Sequence, residues 1–246
     1  SPAAAGAPTF DPLMSIRAAA NRVASVLAQY RDQLAALYDE GEARAIARAV
    51  FQDRMGWDAA ELEMRKPEPL QGSALLRVSL PLKRLRDGEP MQHVLGKVWF
   101  HGLELEVSPD ALIPRPETEE LVDLIVRRDR APSSIIDVCT GSGCIALALK
   151  HRFPNANAHG LDISDAALSL ALRNSLKLGM DIRLEKADVL AEGFTLPVDS
   201  DLIISNPPYI PVDEADALEP RVRAREPYIA LFAPADDPLA FYRAIG

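Results

Sequence analysis

Two short stretches carry residue types whose order suggests chemistry. Asp137-Val138-Cys139-Thr140-Gly141-Ser142-Gly143 follows an apolar run and opens onto a helical pattern. Glycines there let the backbone turn sharply and come close to a ligand, and the N–H groups at a helix start favour a negative group. Asp162, 21 residues beyond Gly141, closes the next apolar run, where a carboxylate can accept hydrogen bonds from a ribose diol. These residues read as a nucleoside-cofactor pocket without fixing the cofactor. Gly141, Gly143 and Ala146 also satisfy the G-x-G-x-x-A fingerprint, so a nicotinamide enzyme fits them too.

Asp137, an acid ending the first strand, tips that choice, together with the second stretch. Asn206-Pro207-Pro208-Tyr209 directly follows Leu202-Ile203-Ile204. Consecutive prolines fix the backbone and remove two N–H donors, which leaves carbonyls as acceptors. The Asn206 side-chain oxygen and the Pro207 carbonyl form an acceptor pair suited to one planar –NH2 group. Such a nitrogen is a poor nucleophile, because its lone pair is delocalised. Hydrogen bonds that draw both protons out of plane favour the pyramidal form needed for attack, an effect confined to the transition state. Tyr209 can stack on the flat group. Together the two stretches describe methyl transfer from S-adenosyl-L-methionine to a planar nitrogen, with no metal and no protein nucleophile required.

The elements that must hold these residues are legible in the apolar pattern. Strands are expected at 134–139, 157–163, 182–186 and 201–205, with helices at 143–151 and from Ser164, as N-cap, to Leu178 with Gly179 as C-cap. Strand–helix alternation predicts a doubly wound α/β sheet with parallel strands. Upstream, an apolar stripe at Leu13, Ile16, Ala20, Val23, Leu27, Tyr30, Leu34 and Leu37 predicts a helix or helix pair that Gly41 stops. A further helix ends near Gly56, Asp58 and Glu61 suggest a capping box, and Pro81 is expected to interrupt the next helical turns. Val98, Phe100, Leu103, Leu105 and Val107 alternate about His101-Gly102 as in a hairpin, and Ile113-Pro114-Arg115-Pro116 reads as extended loop. Only four strands precede the helical ending Phe241–Gly246, so the sheet is expected to lack final strands.

Composition excludes several classes. The chain has 246 residues, a net charge of −9 and 48% apolar residues, ordinary for a folded globular protein. An acidic chain lacks the broad positive field behind most nucleic-acid affinity. No apolar run approaches a bilayer span, and the small-residue start Ser1–Gly6, without Met, reads as a processed or engineered end. Two cysteines and four scattered histidines give neither a disulfide framework nor a metal site, so a reducing, cytoplasmic setting is expected.

The chain resembles the HemK-type protein-(glutamine-N5) methyltransferases that modify peptide chain release factors. The likeness is carried by residues 89–96, Phe100-His101-Gly102, Ile113-Pro114-Arg115-Pro116-Glu117-Thr118-Glu119, Thr140-Gly141-Ser142-Gly143, Asp162, Asn206 to Pro211, and Arg225-Glu226-Pro227. It implies a Rossmann-like class I methyltransferase sheet behind an N-terminal helical bundle. The expected domains are a substrate-recognition bundle over 1–88, a hairpin linker over 89–113 and a catalytic domain over 114–246. It also implies S-adenosyl-L-methionine as cofactor, bound by Asp137, Cys139 to Gly143, Asp162, Asp188 and Val189 near adenine, and Asn206. Asn206, Pro207, Pro208 and Tyr209 would hold the glutamine amide, with Asn206, Pro207 and Tyr209 catalytic. The implied partner is a release factor, met by a monomer and without a nucleic-acid substrate. Cys139 departs from the family's usual glycine. Asn-Pro-Pro-Tyr alone is shared with adenine methyltransferases, so methylation of adenine stays open, as does the oxidoreductase. Arg115, with Glu117 and Glu119, is expected either to cover the cofactor's methionine end or to brace the segment through an ion pair.

Overall fold

The computed structural model describes residues 21–127, 130–197, 199–218 and 220–246; Ser1–Gly6, Leu13, Ile16, Ala20 and Arg128 lie outside the described residues. The chain divides into two compact units, Ser1–Leu95 and Gly96–Gly246.

In the first unit, helices α1 (Val23–Leu34), α2 (Glu40–Met55), α3 (Ala59–Met64), α4 (Gly72–Arg86) and α5 (Met91–Leu95) surround a core that includes Val26, Tyr30, Leu34, Val50, Phe51 and Leu85. Gly41 stops nothing: it lies inside α2, which starts at a complete capping box between Asp39 and Glu42. Two reciprocal hydrogen bonds at the cap, worth about 1 kcal/mol or more, match the cost of one helical glycine. The cap at Asp58 is one-sided, accepting from Glu61 N, while the Glu61 carboxylate pairs with Arg65 instead. Pro81 likewise sits inside an unbroken α4. The helix survives because Val78, Pro81, Leu82 and Leu85 are buried together; the carbonyl that Pro81 leaves without its N–H is Arg77's, and the Tyr30 hydroxyl donates to the adjacent Val78 carbonyl at 2.6 Å. Trp57 packs on Phe51, with the Arg65 guanidinium over its ring.

The second unit opens with the hairpin of β1 (Lys97–Phe100) and β2 (Leu103–Glu106), turned by His101 and Gly102, both at positive φ (47° and 80°) as a tight hairpin turn needs. Helix α6 (Pro116–Val126) begins on Pro116, whose missing N–H costs nothing in a first turn. Then come β3 (Ser134–Val138), α7 (Cys144–Arg152), β4 (Asn157–Asp162), α8 (Asp165–Leu178), β5 (Arg183–Lys186) and β6 (Leu202–Ser205). The four strands are parallel in the order β5-β4-β3-β6. This is a Rossmann-like α/β sheet, and helix α7 is buried from Cys144 to Leu149 against it. Ser164 and Gly179 cap α8 as expected, Ser164 Oγ accepting from Ala167 N and Gly179 taking φ +63°. A short 3-10 turn (Val212–Ala217) and helices α9 (Pro220–Arg225), α10 (Tyr228–Leu231) and α11 (Ala240–Ile245) follow. No described helix is long and apolar enough to cross a membrane.

Strand order matters for the site. From β3 the chain runs outward through β4 and β5, then returns to the other side of β3 as β6. The switch point therefore falls between β3 and β6, where open α/β sheets leave a crevice at their carboxyl ends.

Candidate active site

The glycine turn and Asn206 stand on the two sides of that crevice. The Ser205 hydroxyl donates to the Val138 carbonyl at 2.6 Å, tying the strand ends together just before both loops begin. In the turn, Cys139, Gly141 and Gly143 all take positive φ (60°, 56° and 79°). A side chain on Gly143 would press on Ala171 Cβ at 3.1 Å, so glycine is needed both for its conformation and for the approach of α8. Cys139 adopts the same left-handed backbone with a side chain, at a strain of about 1 kcal/mol. Burial pushes its thiol up to about 12, far from a nucleophile's range.

Asp162 braces the turn from β4. Its Oδ2 accepts from Gly141 N at 2.8 Å and its Oδ1 from Ser164 N at 2.9 Å. Asn174, fully buried on α8, uses both amide N–H bonds and one oxygen lone pair in one place: Oδ1 accepts from Glu106 N, and Nδ2 donates to the Glu106 and Ser142 carbonyls. Gly160 is a further requirement, because a Cβ there would meet Thr140 Oγ1 and Leu184 Cδ2 at 2.9 Å. Neither Asn174 nor Gly160 stands out in the sequence, since each works through a partner distant along the chain.

A cavity of about 300 Å³ opens over these loops, large enough for a small organic ligand. Cys139, Thr140, Gly141, Ser142, Asp162, Asp188, Val189, Asn206 and Pro208 line it. Its surfaces suit a nucleoside: an acid at the end of β4, apolar walls from Ile163, Val189 and Leu190, and a backbone turn at a helix start. Asp188 lies just past β5, where its Oδ1 accepts from Leu190 N. Gly143, Pro207 and Tyr209 do not line the cavity; Pro207 is buried and Tyr209 is 55% exposed.

Asp137, expected among the cofactor contacts, does not line the cavity either. It lies fully buried beneath the turn, where its Oδ2 accepts from Thr140 Oγ1 at 2.6 Å and Ala146 N at 3.1 Å, while Oδ1 has no hydrogen-bond partner. An acid at a strand end can point into a crevice or under the following helix, and here the α7 N–H captures it. Burial raises its pKa from 3.8 to about 7, against the opposing pull of the Thr140 and Ala146 hydrogen bonds. Between those two values the folded chain keeps a proton that the unfolded chain has released. The stability from this group is therefore complete below about 4 and is lost as the pH rises through 7. Asp137→Asn removes the titration. The urea stability of wild type minus variant should fall by a few kcal/mol between pH 4 and 8, and a flat difference would refute a buried protonated carboxyl.

Segment 111–118 contributes Ala111, Leu112, Pro114, Arg115 and Thr118 to the cavity wall. Arg115 is paired with Glu226, not with Glu117 or Glu119, and Glu226 also accepts from Ile113 N at 3.1 Å. With its side chain only 1% exposed, Glu226 pins the loop by a buried, hydrogen-bonded ion pair. The same side of the site is tied by Ile210, which pairs with Phe232 and exchanges hydrogen bonds with Leu231 and Ala233. In the sequence Glu226 and Thr118 stand only as members of motifs, with no role of their own; in the fold the Thr118 hydroxyl lies 3.3 Å from Asn206 Nδ2. No periodicity joins positions so far apart.

Known proteins match along both units. Residues 25–96 match the family described as PrmC N-terminal domain, and residues 118–219 the family described as Methyltransferase small domain. The release factor glutamine methyltransferase of Bacteroides thetaiotaomicron is 37% identical over 220 residues, covering 89% of this chain and 79% of that protein. Its counterpart from Cereibacter sphaeroides is 40% identical over 205 residues, 83% of this chain and 72% of the relative. That from Flavobacterium psychrophilum is 35% identical over 222 residues, 88% and 78%. Identity of this order over most of both chains settles the kinship: this chain belongs to the release factor glutamine methyltransferase family.

Proposed function

We propose that the protein transfers a methyl group from S-adenosylmethionine to N5 of a glutamine side chain in a peptide chain release factor: the S–CH3 bond breaks to leave a neutral thioether, the N5–CH3 bond forms, and N5 gives up one proton to solvent. One observation carries this reading: Asn206 and Pro208 line the same cavity as the glycine turn and Asp162, so a carboxamide site and a nucleoside site open on one space. When bound, S-adenosylmethionine supplies an electrophilic methyl on a sulfonium, and the chemistry needs no protein nucleophile. In this proposal Cys139 to Gly143, Asp162, Asp188, Val189 and Asn206 hold the cofactor. Asn206 Oδ1 and the Pro207 carbonyl accept the two N–H bonds of the glutamine amide and favour a pyramidal nitrogen, stabilising the transition state over the ground state. Pro208 stiffens that corner, and the exposed Tyr209 covers the amide from outside. We take the partner to be a protein and the setting cytoplasmic, in keeping with a net charge of −9 that provides no broad field for nucleic acid.

Incubation with methyl-labelled cofactor and purified release factor tests this directly. Label is expected on one glutamine. Label on adenine in added DNA or RNA would favour the nucleic-acid reading instead. Calorimetric binding of NAD but not S-adenosylmethionine would establish an oxidoreductase.

A further inference from the structure

Asn174 is fully buried on α8 and does not line the cavity, yet it reaches the glycine turn. Its three partners are backbone groups, each able to play one role only, so they fix which end of the carboxamide faces which. Glu106 N donates to Oδ1 at 2.7 Å, and Nδ2 donates to the carbonyls of Glu106 at 3.1 Å and Ser142 at 3.0 Å. The two bonds to Glu106 grip the end of β2. The third draws the Ser142 carbonyl toward α8, away from the cavity that Ser142 lines.

That carbonyl belongs to the peptide unit joining Ser142 to Gly143. The unit is held at both ends, since Gly143 N donates to the Thr140 carbonyl at 2.9 Å. Gly143, at φ +79°, has no Cβ to oppose the arrangement in which this unit turns over. Turned over, it would set a carbonyl oxygen into a wall where the N–H groups opening α7 favour electronegative ligand groups.

We infer that Asn174 is a positioning residue for the cofactor, locking the Ser142–Gly143 peptide with its carbonyl turned from the cavity. The inference rests on the placing of S-adenosylmethionine against the glycine turn in the preceding section. Asn174 is not the sole tie between α8 and the hairpin, because Arg173 pairs with Glu106 and Lys177 with Glu104. Nor is it the sole brace of the turn: Asp162 holds Gly141 N, and the Leu161 carbonyl holds Thr140 N. Its loss therefore frees one peptide unit and leaves the rest of the turn in place.

Asn174→Ala removes the donor. The dissociation constant for S-adenosylmethionine should rise about ten-fold, the scale of one buried hydrogen bond, with kcat at saturating cofactor within about two-fold of wild type. Arg173→Ala, which weakens only the hairpin tie, should bind the cofactor like wild type. A second measurement needs no cofactor. In Asn174→Ala the Gly143 amide resonance should shift and its hydrogen exchange quicken, while the Thr140 and Gly141 amides stay as they are. Should Asn174→Ala not fold, Asn174→Leu refills the space and carries the same expectations. An unmoved Gly143 amide overturns the inference, as does exchange that quickens equally at all three amides or an unchanged dissociation constant. Failure of both variants to fold overturns it too, since Asn174 would then be a strut of the whole unit. Wild type that does not bind S-adenosylmethionine overturns the cofactor's placing separately, because the Gly143 amide still reports what Asn174 holds.

Discussion

Replacing Asn206 with alanine is expected to lower kcat by at least about 10²–10³-fold, to the limit of detection, while the dissociation constant for S-adenosylmethionine stays within a few-fold of wild type. The magnitude is that of removing one preorganised group aimed at charge that develops only in the transition state. Asn206 is one cofactor contact among several, so its loss should cost no more than that few-fold change while the walls from the glycine turn to Val189 remain. The Ser205–Val138 hydrogen bond just before Asn206 also keeps the end of β6 in register. Single-turnover transfer with cofactor binding measured in parallel checks both halves. Wild-type turnover in Asn206→Ala removes the mechanism outright, because among the described residues no other carboxamide lines the cavity to replace it.

What was readable in advance divides along a physical line. Helix α8 reads from cap to cap because Ser164 and Gly179 are local signals that nothing distant opposes. Strand β3 reads well because a central parallel strand covered on both faces is a short apolar run, whereas β5 (Arg183–Lys186) and β6, with Ile203 exposed, read from the turn residues around them. Gly41 and Pro81 mislead for the complementary reason: each is a local breaker outweighed by something else, a capping box beside Gly41 and a buried helix face around Pro81. In the site, the glycine turn, Asp162 and Asn206 are visible as motifs, and the structure gathers them round one cavity. Hidden from any linear pattern are the pairings Thr118–Asn206, Arg115–Glu226 and Asn174–Glu106, whose partners lie 88, 111 and 68 residues apart. Asp137 shows a third kind of limit. Its type and position at a strand end are evident, but the direction of its side chain is decided by an α7 N–H that only the fold brings near.

Asp162→Asn should give the opposite kinetic signature: cofactor affinity weakened on the order of 10²-fold, with kcat at saturating cofactor near wild type. A carboxylate offers about four acceptor positions. Gly141 N and Ser164 N occupy one on each oxygen, which leaves one on each for the two hydroxyls of a ribose. Asparagine has a single oxygen, so one of the two backbone N–H groups must face an NH2. If Gly141 N loses its acceptor, the glycine turn loosens; if Ser164 N does, the start of α8 loosens. Either way the folded state should lose about 1–3 kcal/mol in urea, and the diol loses hydrogen bonds strengthened by the carboxylate charge. Because those bonds hold the cofactor equally before and during transfer, their loss belongs in binding and KM, not in kcat. The two variants therefore test the division of the cavity between them: binding without turnover in Asn206→Ala, turnover without tight binding in Asp162→Asn. An Asp162→Asn enzyme that binds S-adenosylmethionine like wild type yet fails to turn over would reverse that division, and with it the placing of the ribose at the end of β4.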